Sequence, residues 1–148
     1  MNPQLIKKLN TSDHTLVIWD GDNFIGRSGI GVKPLMTFLR EDKDFFHGKE
    51  VADTIIGKAA ALLLVASGAS AVYGQTMSRS AINLLDQYQI PYGYETLVDH
   101  IQNRDKTGLC PLEDAVQNIN EPSQAFDAVE NRIQELMNGS YKPQTKNI

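Results

Sequence analysis

The centre of the chain reads Glu50-Val-Ala-Asp-Thr-Ile-Ile-Gly-Lys-Ala-Ala-Ala-Leu-Leu-Leu-Val-Ala66. Its first seven residues are mostly β-branched or apolar, which predicts a β-strand. The residues from Ala59 to the end of the segment are apolar on every side, and a helix without a polar face is buried on most of its surface. Gly68 follows as a C-cap. The segment therefore predicts a strand that leads directly into a buried helix.

The segments on both sides continue this alternation of strands and helices. Further strands are predicted from apolar or β-rich runs at residues 15–20, 24–25, 70–74 and 90–94. Further helices are predicted at residues 5–9, from Pro34, from the N-cap Ser78, at residues 111–117 and from Pro122. The last helix is predicted to bury a stripe of four apolar residues, Phe126, Val129, Ile133 and Leu136. This order predicts an α/β layered domain with some parallel strand pairing.

Length and charge limit the classes of protein that the sequence can represent. The chain has 148 residues, of which 41% are hydrophobic, and this is enough for one domain with a real core. We predict a single domain over residues 1–137 and a flexible C-terminal tail over residues 138–148. The net charge of −4 provides no basic field, so no nucleic-acid partner is expected.

Signals for export and membrane insertion are missing from the sequence. The N-terminal residues lack the apolar core of a signal peptide, and the longest apolar run is far too short to span a bilayer. Cys110 is the single cysteine, which excludes an internal disulfide and agrees with a reducing compartment. The sequence therefore predicts a cytoplasmic protein without a membrane partner, and it leaves a homo-oligomer open.

Lys58 is a candidate ligand-binding residue because it stands at the start of the buried helix. Helix N-termini present free backbone N–H groups and a partial positive charge that favour anions. The segment is not a nucleotide-binding P-loop, since Ala52 and Ala59 stand where that motif requires glycine and serine or threonine. Two interpretations remain: Lys58 binds a phosphate or carboxylate, or it extends from the helix end and pairs with Asp53.

Cys110 is a second candidate, at the predicted N-cap of the helix that begins with Pro111. Proline at the first helical position and Glu113 at the third are typical of a helix start. The helix dipole favours a thiolate there, as would Arg104 and Lys106, whereas Glu113 opposes it. The alternative is a half-buried cysteine that only packs. The three histidines lie in no motif and are predicted at the surface: His14, His47 and His100.

A glycine-rich segment, Gly26-Arg-Ser-Gly-Ile-Gly31, separates the predicted hairpin from the helix at Pro34. Its spacing is not that of dinucleotide-binding folds. Glycines that follow a hairpin strand typically form a bulge or a crossing. Arg27 and Lys33 are nevertheless candidates to face a ligand.

Five segments of the chain together carry a family resemblance. They are Gly29-Ile-Gly-Val-Lys-Pro-Leu35, residues 51–64, Ala71-Val-Tyr73, Ile90-Pro-Tyr92 and Asn103-Arg-Asp-Lys-Thr-Gly-Leu-Cys-Pro-Leu-Glu113. These segments resemble a small prokaryotic domain family of unknown function, over roughly residues 15–135. The resemblance implies a cytidine deaminase-like fold, which is a three-layer α/β/α sandwich with a central mixed sheet.

The resemblance does not extend to the zinc chemistry of deaminases. Zinc deaminases need a His or Cys two residues before a catalytic Glu at one helix start, and Pro-Cys-x-x-Cys at the next. Here Gly57-Lys58-Ala59 stands at the first start, and only Cys110 and Glu113 stand at the second. One thiolate and one carboxylate do not supply the three protein ligands that catalytic zinc requires. We therefore expect no metal ion and no cofactor.

In the cytidine deaminase-like fold, the two helix starts, here at Lys58 and Cys110, face each other across a pocket, which implies one shared site. The catalytic candidates there are Cys110, Lys58 and Asp53. The ligand-binding candidates are Gly57, Lys58, Arg104, Asp105, Thr107, Gly108 and Glu113. The function expected is zinc-free binding of a small polar or phosphorylated, nucleotide-like ligand, with a metal-free reaction left open. The alternatives are a non-catalytic protein-interaction module and a thiol-transfer role for Cys110.

Overall fold

The computed structural model describes residues 1–103 and 105–142. The elements follow in the order α1 (Pro3–Thr11), β1 (Leu16–Trp19), β2 (Phe24–Arg27), α2 (Lys33–Glu41), β3 (Glu50–Ile56), α3 (Lys58–Ser67), β4 (Ala71–Ser78), α4 (Arg79–Gln87), β5 (Tyr92–Val98), α5 (Pro111–Ala115), a 3-10 helix (Pro122–Gln124) and α6 (Ala125–Met137). Gly68 ends α3 in the left-handed conformation, with φ of 85°. Glycine adopts this conformation without strain, and it stops the helix where the sequence predicts.

The five strands form one mixed sheet in the order β2-β1-β3-β4-β5. The pairs β1–β2 and β1–β3 are antiparallel, whereas β3–β4 and β4–β5 are parallel. Parallel neighbours require a crossover, and α3 and α4 supply the two that are needed. The β1–β2 hairpin turns at Asp20, whose Oδ1 accepts hydrogen bonds from the N–H groups of Asp22 and Asn23 at 2.8 and 2.7 Å.

Helices cover both faces of this sheet, so the domain has three layers with the sheet in the middle. On one face α1 buries Leu5 and Leu9 against Val17, Ala52 and Tyr73. On the other face α2, α3, α4 and α6 share one larger apolar cluster, in which residues 59–64 of α3 are all buried. Burial of each leucine stabilises the fold by about 1.5–3 kcal/mol. The predicted α/β architecture with a mixed sheet between helices is confirmed, whereas its specific likeness to cytidine deaminases stays a prediction.

Two strand ends and one helix face differ from the predictions. The strands β4 and β5 continue past the predicted ends at residues 74 and 94, because residues 76–78 of β4 pair in register with residues 96–98 of β5. Pairing across strands overrides the weak local preference of these residues. The prediction that Leu136 is buried is wrong. It is 43% exposed and the adjoining Met137 is 74% exposed, because the last turn of α6 extends past the core.

None of the helices described is both long and apolar enough to cross a membrane. Residues 138–142 follow α6, and residues 143–148 lie outside the described part of the chain. The flexible tail and the domain boundary at residue 137 therefore stay predictions.

Candidate functional site

The N-termini of α3 and α5 lie against each other, and Glu113 joins them. Its Oε1 accepts a hydrogen bond from the N–H of Lys58, and its Oε2 accepts one from the N–H of Ala59, each at 2.7 Å. The N-cap of α3 is Gly57, which has no side chain to cap the helix itself. The chain therefore places its own carboxylate where the sequence predicts an external anion.

Gly57 permits this close approach between the two helices. A Cβ atom at this position would lie 2.1 Å from Oε1 of Glu113 and 2.8 Å from Cγ1 of Ile101. Carbon and oxygen atoms that are not bonded do not approach to 2.1 Å, so any side chain at this position must displace the Glu113 carboxylate. The role of Gly57 is therefore to leave room for Glu113.

Glu113 is a buried residue, with 8% of its surface exposed. Burial raises the pKa of Glu113, whereas the N–H groups of Ala59 and Lys58 and the positive charge of Lys58 act against the rise. Both of its oxygens accept short backbone hydrogen bonds, which is the geometry of an ionised carboxylate. Water contributes little to its stabilisation, and the α3 N-terminus holds the charge in its place.

Lys58 also connects α3 to the chain that follows α5. Its ammonium group donates a hydrogen bond to the carbonyl oxygen of Gln117 at 3.0 Å. The alternative in which Lys58 pairs with Asp53 is not observed, since no such ion pair occurs within residues 1–103 and 105–142. The main chain and the side chain of Lys58 therefore both contact the α5 region.

Asp53 lies apart from this contact, inside the sheet. It sits in β3 opposite Leu16 of β1 and Gly74 of β4, and it is only 4% exposed. Its Oδ1 accepts long hydrogen bonds from the Thr54 hydroxyl at 3.4 Å and the Ile55 N–H at 3.3 Å. Desolvation by burial raises the pKa of Asp53 to about 7, because these weak bonds compensate little of the lost hydration.

The predicted site residues are thus only partly brought together. Direct hydrogen bonds join Glu113 to the start of α3 next to Gly57. In the part of the chain that the structure describes, no hydrogen bond or ion pair links Asp53 to Lys58, Cys110 or Glu113. The predicted membership of Asp53 in the same site therefore gains no support from direct contacts.

Cys110 is the N-cap residue of α5, as the sequence predicts, and it is half-buried. Its thiol makes no capping hydrogen bond. Its backbone N–H donates to the carbonyl of Ile101 at 3.0 Å, and its carbonyl accepts from the N–H of Asp114 at 2.9 Å. These backbone bonds hold the start of α5 against the chain that leaves β5.

The loop before Cys110 is closed by Asn103, whose side-chain amide donates to the Thr107 hydroxyl at 3.1 Å. Asp105, Thr107 and Gly108 are all exposed there, which agrees with a rim but does not test ligand contact. Arg104, also a predicted ligand contact, lies outside the described residues.

Sequence reasoning missed Arg132, which positions α5. The Arg132 guanidinium donates to the carbonyl of Pro111 at 2.6 Å, to Asp114 at 3.1 Å and to Glu135 at 3.0 Å. The Arg132 side chain is 16% exposed, whereas its partners Asp114 and Glu135 are 32% and 46% exposed. The only local signal was the i,i+3 spacing of Arg132 and Glu135. The link from α6 to α5 depends on the tertiary fold.

The donor set at the helix starts does not fit zinc. Within residues 1–103 and 105–142, no three His, Cys, Asp or Glu side chains lie close enough to hold a metal ion. The carboxylate nearest to Cys110 in the predicted motif is Glu113, and both of its oxygens are engaged by backbone N–H groups. The three histidines are exposed, as predicted.

Comparison with known proteins places this architecture in a family. A family model described as "TM1506: Domain of unknown function (DUF1893)" matches residues 4–133. The chain belongs to the DUF1893 family. The predicted resemblance to a small domain family of unknown function is thereby confirmed.

A solved structure resembles this DUF1893 domain over nearly its whole length. It is the crystal structure of a DUF1893 family protein (TM1506) from Thermotoga maritima, with a TM-score of 0.78 and 23% sequence identity. The match covers 89% of this chain and 92% of that one. At this identity the likeness establishes the fold alone. No curated protein matches the chain.

Proposed function

We propose that this DUF1893 domain binds a small anionic ligand, phosphorylated or nucleotide-like, without zinc, at the contact between α3 and α5. The observation that carries the proposal is that the N–H groups of Lys58 and Ala59 already bind a carboxylate, at 2.7 Å to each oxygen. A ligand carboxylate or phosphate also carries negative charge and presents a similar oxygen spacing. Such a ligand can replace Glu113, whose release to water recovers its hydration.

The surrounding residues have definable roles in this proposal. The Lys58 ammonium turns from the Gln117 carbonyl to the bound anion, while Asp105, Thr107 and Gly108 form the rim of the opened site. Cys110 lies three residues before Glu113, so a reaction at this site would use its thiol as the nucleophile. Binding is the activity proposed, and it does not require that reaction.

Variants of the two side chains at the site should change ligand binding in opposite directions. A thermal-shift screen of nucleosides, nucleotides and sugar phosphates measures the binding. A ligand at 100 times its Kd stabilises a protein by about 2.7 kcal/mol, which raises Tm by roughly 5–11 °C for a domain of this size. Lys58→Ala should abolish the shift, because the cation is lost. Glu113→Gln should increase it, because a neutral amide competes less well for the α3 N-terminus.

Lys7→Ala is the matched control for the screen, since it removes an exposed lysine from α1 on the opposite face of the sheet. Its ligand-induced shift should equal that of the wild type. The proposal fails if no compound shifts Tm in either the wild type or Glu113→Gln. It also fails if Lys58→Ala retains the full shift.

A protein-interaction module is the second candidate function, favoured by an exposed strand edge. β5 lies at the edge of the sheet and is seven residues long. Tyr94 in this strand is 43% exposed. A strand edge with unpaired backbone groups can add a strand from another chain.

A self-associating DUF1893 domain should lose its dimer when the β5 edge is altered. Multi-angle light scattering is expected to give a dimer mass for the wild type and a monomer mass for Tyr94→Lys. Tyr88→Lys is the control, because Tyr88 is similarly exposed, at 38%, but lies at the end of α4. A monomeric wild type across the accessible concentration range would remove self-association through β5.

A further inference from the structure

A groove of about 290 Å³ lies between the glycine-rich segment after β2 and the first turns of α2. It is lined on one side by Arg27, Ser28 and Gly29 and on the other by Lys33, Thr37 and Phe38. None of these residues takes part in the contact between α3 and α5. We propose that this groove is a second anion site, which binds the phosphoryl group of a small phosphorylated molecule such as a sugar phosphate.

The charge of the groove carries the first step of this proposal. Arg27 and Lys33 both line it, no acidic side chain does, and neither cation forms an ion pair within the described residues. Arg40, Arg79 and Arg132, by contrast, each pair with a carboxylate. In a chain of net charge −4, two uncompensated cations in one concave surface create a local positive potential that attracts anions.

The Arg27 side chain is held in position before any ligand binds. Its Nη1 donates to the carbonyl of Gly26 at 2.8 Å, and its guanidinium lies 5.2 Å from the centre of the Phe38 ring. Phe38 in turn stacks on Phe45, with the ring centres 4.3 Å apart. Most guanidinium N–H groups are left for a ligand. A guanidinium fixed against an aromatic ring loses little entropy when it binds phosphate oxygens in pairs.

The remaining lining groups narrow the class of ligand. The hydroxyls of Ser28 and Thr37 donate to the carbonyls of Asp13 and Lys33, so the donors that face the groove are mainly cationic. This favours a phosphate over an uncharged sugar. Arg27 and Phe45 both lie against the Phe38 ring, which is therefore not free to stack on a nucleobase.

The size of the groove also favours a small phosphorylated molecule as the ligand. A volume of about 290 Å³ is at the lower end of small-molecule sites. It suits a single phosphorylated sugar, and it is too small to enclose a dinucleotide.

Backbone amide resonances provide the test, because they separate this groove from the α3–α5 contact in one experiment. Isotope-labelled wild-type protein is titrated with ribose phosphate, which carries its phosphate on the primary hydroxyl, and with ribose as the neutral control. We expect ribose phosphate to shift the amides of Ser28, Gly29 and Lys33, and ribose to shift none of them. The double variant Arg27→Gln, Lys33→Gln should bind about tenfold more weakly or worse.

Lys7→Gln, which removes one positive charge from exposed α1, should leave the affinity unchanged. The second site is overturned if ribose phosphate shifts the amides of Lys58 and Ala59 but not those of the groove, an outcome that supports the α3–α5 site instead. It is also overturned if the double variant binds as tightly as the wild type, or if millimolar ribose phosphate shifts no amide of the groove.

Discussion

Gly57→Ala is expected to lower the free energy of unfolding by about 2–4 kcal/mol. The backbone at Gly57 is extended, with φ of −98°, so alanine introduces no backbone strain. The effect comes from the new Cβ atom, 2.1 Å from Oε1 of Glu113, which forces the carboxylate away from α3. Two charge-assisted hydrogen bonds are then lost, and the buried N–H of Ala59 is left without its partner. Urea unfolding at neutral pH measures the change.

Gly108→Ala is the matched control, because a Cβ atom there meets no other atom within 4 Å. Its unfolding free energy should stay within about 0.5 kcal/mol of the wild type. Glu113→Gln tests the partner of the contact, and the double variant Gly57→Ala, Glu113→Gln should be destabilised by less than the sum of the single changes. Residues that act through one contact are not additive. Equal stabilities for Gly57→Ala and Gly108→Ala would show that Glu113 does not stabilise the start of α3.

The same residues show how far local patterns predict the site. The order of strands and helices follows from short-range signals, such as the β-rich run before Gly57 and the apolar run after Lys58. Proline at position 111 correctly identifies the start of α5 and places Cys110 at its N-cap. These features depend on neighbouring residues, so a single sequence is enough to predict them.

The contacts between the helices join residues that are distant in sequence, so local sequence patterns could not predict them. Glu113 reaches α3 across 55 positions of sequence, and Arg132, which holds α5, is 18 positions from Asp114. Asp53 is the reverse case, in which a predicted contact between residues that are near in sequence, Asp53 and Lys58, is not observed. An extended strand rises by about 3.3 Å per residue, so the four residues from Asp53 to Gly57 span roughly 13 Å.

Asp53 is expected to make the domain less stable as the pH rises from about 4 to about 7. Burial raises the pKa of Asp53 from 3.8 to about 7, so the folded protein keeps this proton where the unfolded chain has lost it. Below the pKa of Asp53 in the unfolded chain, the folded and unfolded states both hold the proton, and Asp53 contributes nothing to the pH dependence of stability. Between the unfolded and folded pKa values, each rise of one pH unit lowers the free energy of unfolding by about 1.4 kcal/mol. Above pH 7 this loss of stability stays constant.

Asp53→Asn should therefore stabilise the domain, by up to about 4 kcal/mol at pH 8 and by almost nothing at pH 4. Asparagine has nearly the same shape and cannot ionise, so only the penalty of the buried charge is removed. Urea unfolding of both proteins at a series of pH values measures this difference. Asp22→Asn, at an exposed turn position, is the control and should give a difference near zero at every pH.

A difference between Asp53→Asn and the wild type that does not change with pH would contradict a raised pKa for Asp53. A difference that grows with pH would mean that this DUF1893 domain keeps an acid that destabilises the middle of its sheet. Buried carboxyl groups with raised pKa values are concentrated at functional sites, where activity is retained at the expense of stability. The ligand screen shows whether the buried acid serves ligand binding. If Asp53→Asn gains stability but loses the ligand-induced shift, Asp53 acts in binding. If it gains stability and keeps the full shift, Asp53 takes no part in binding the ligand.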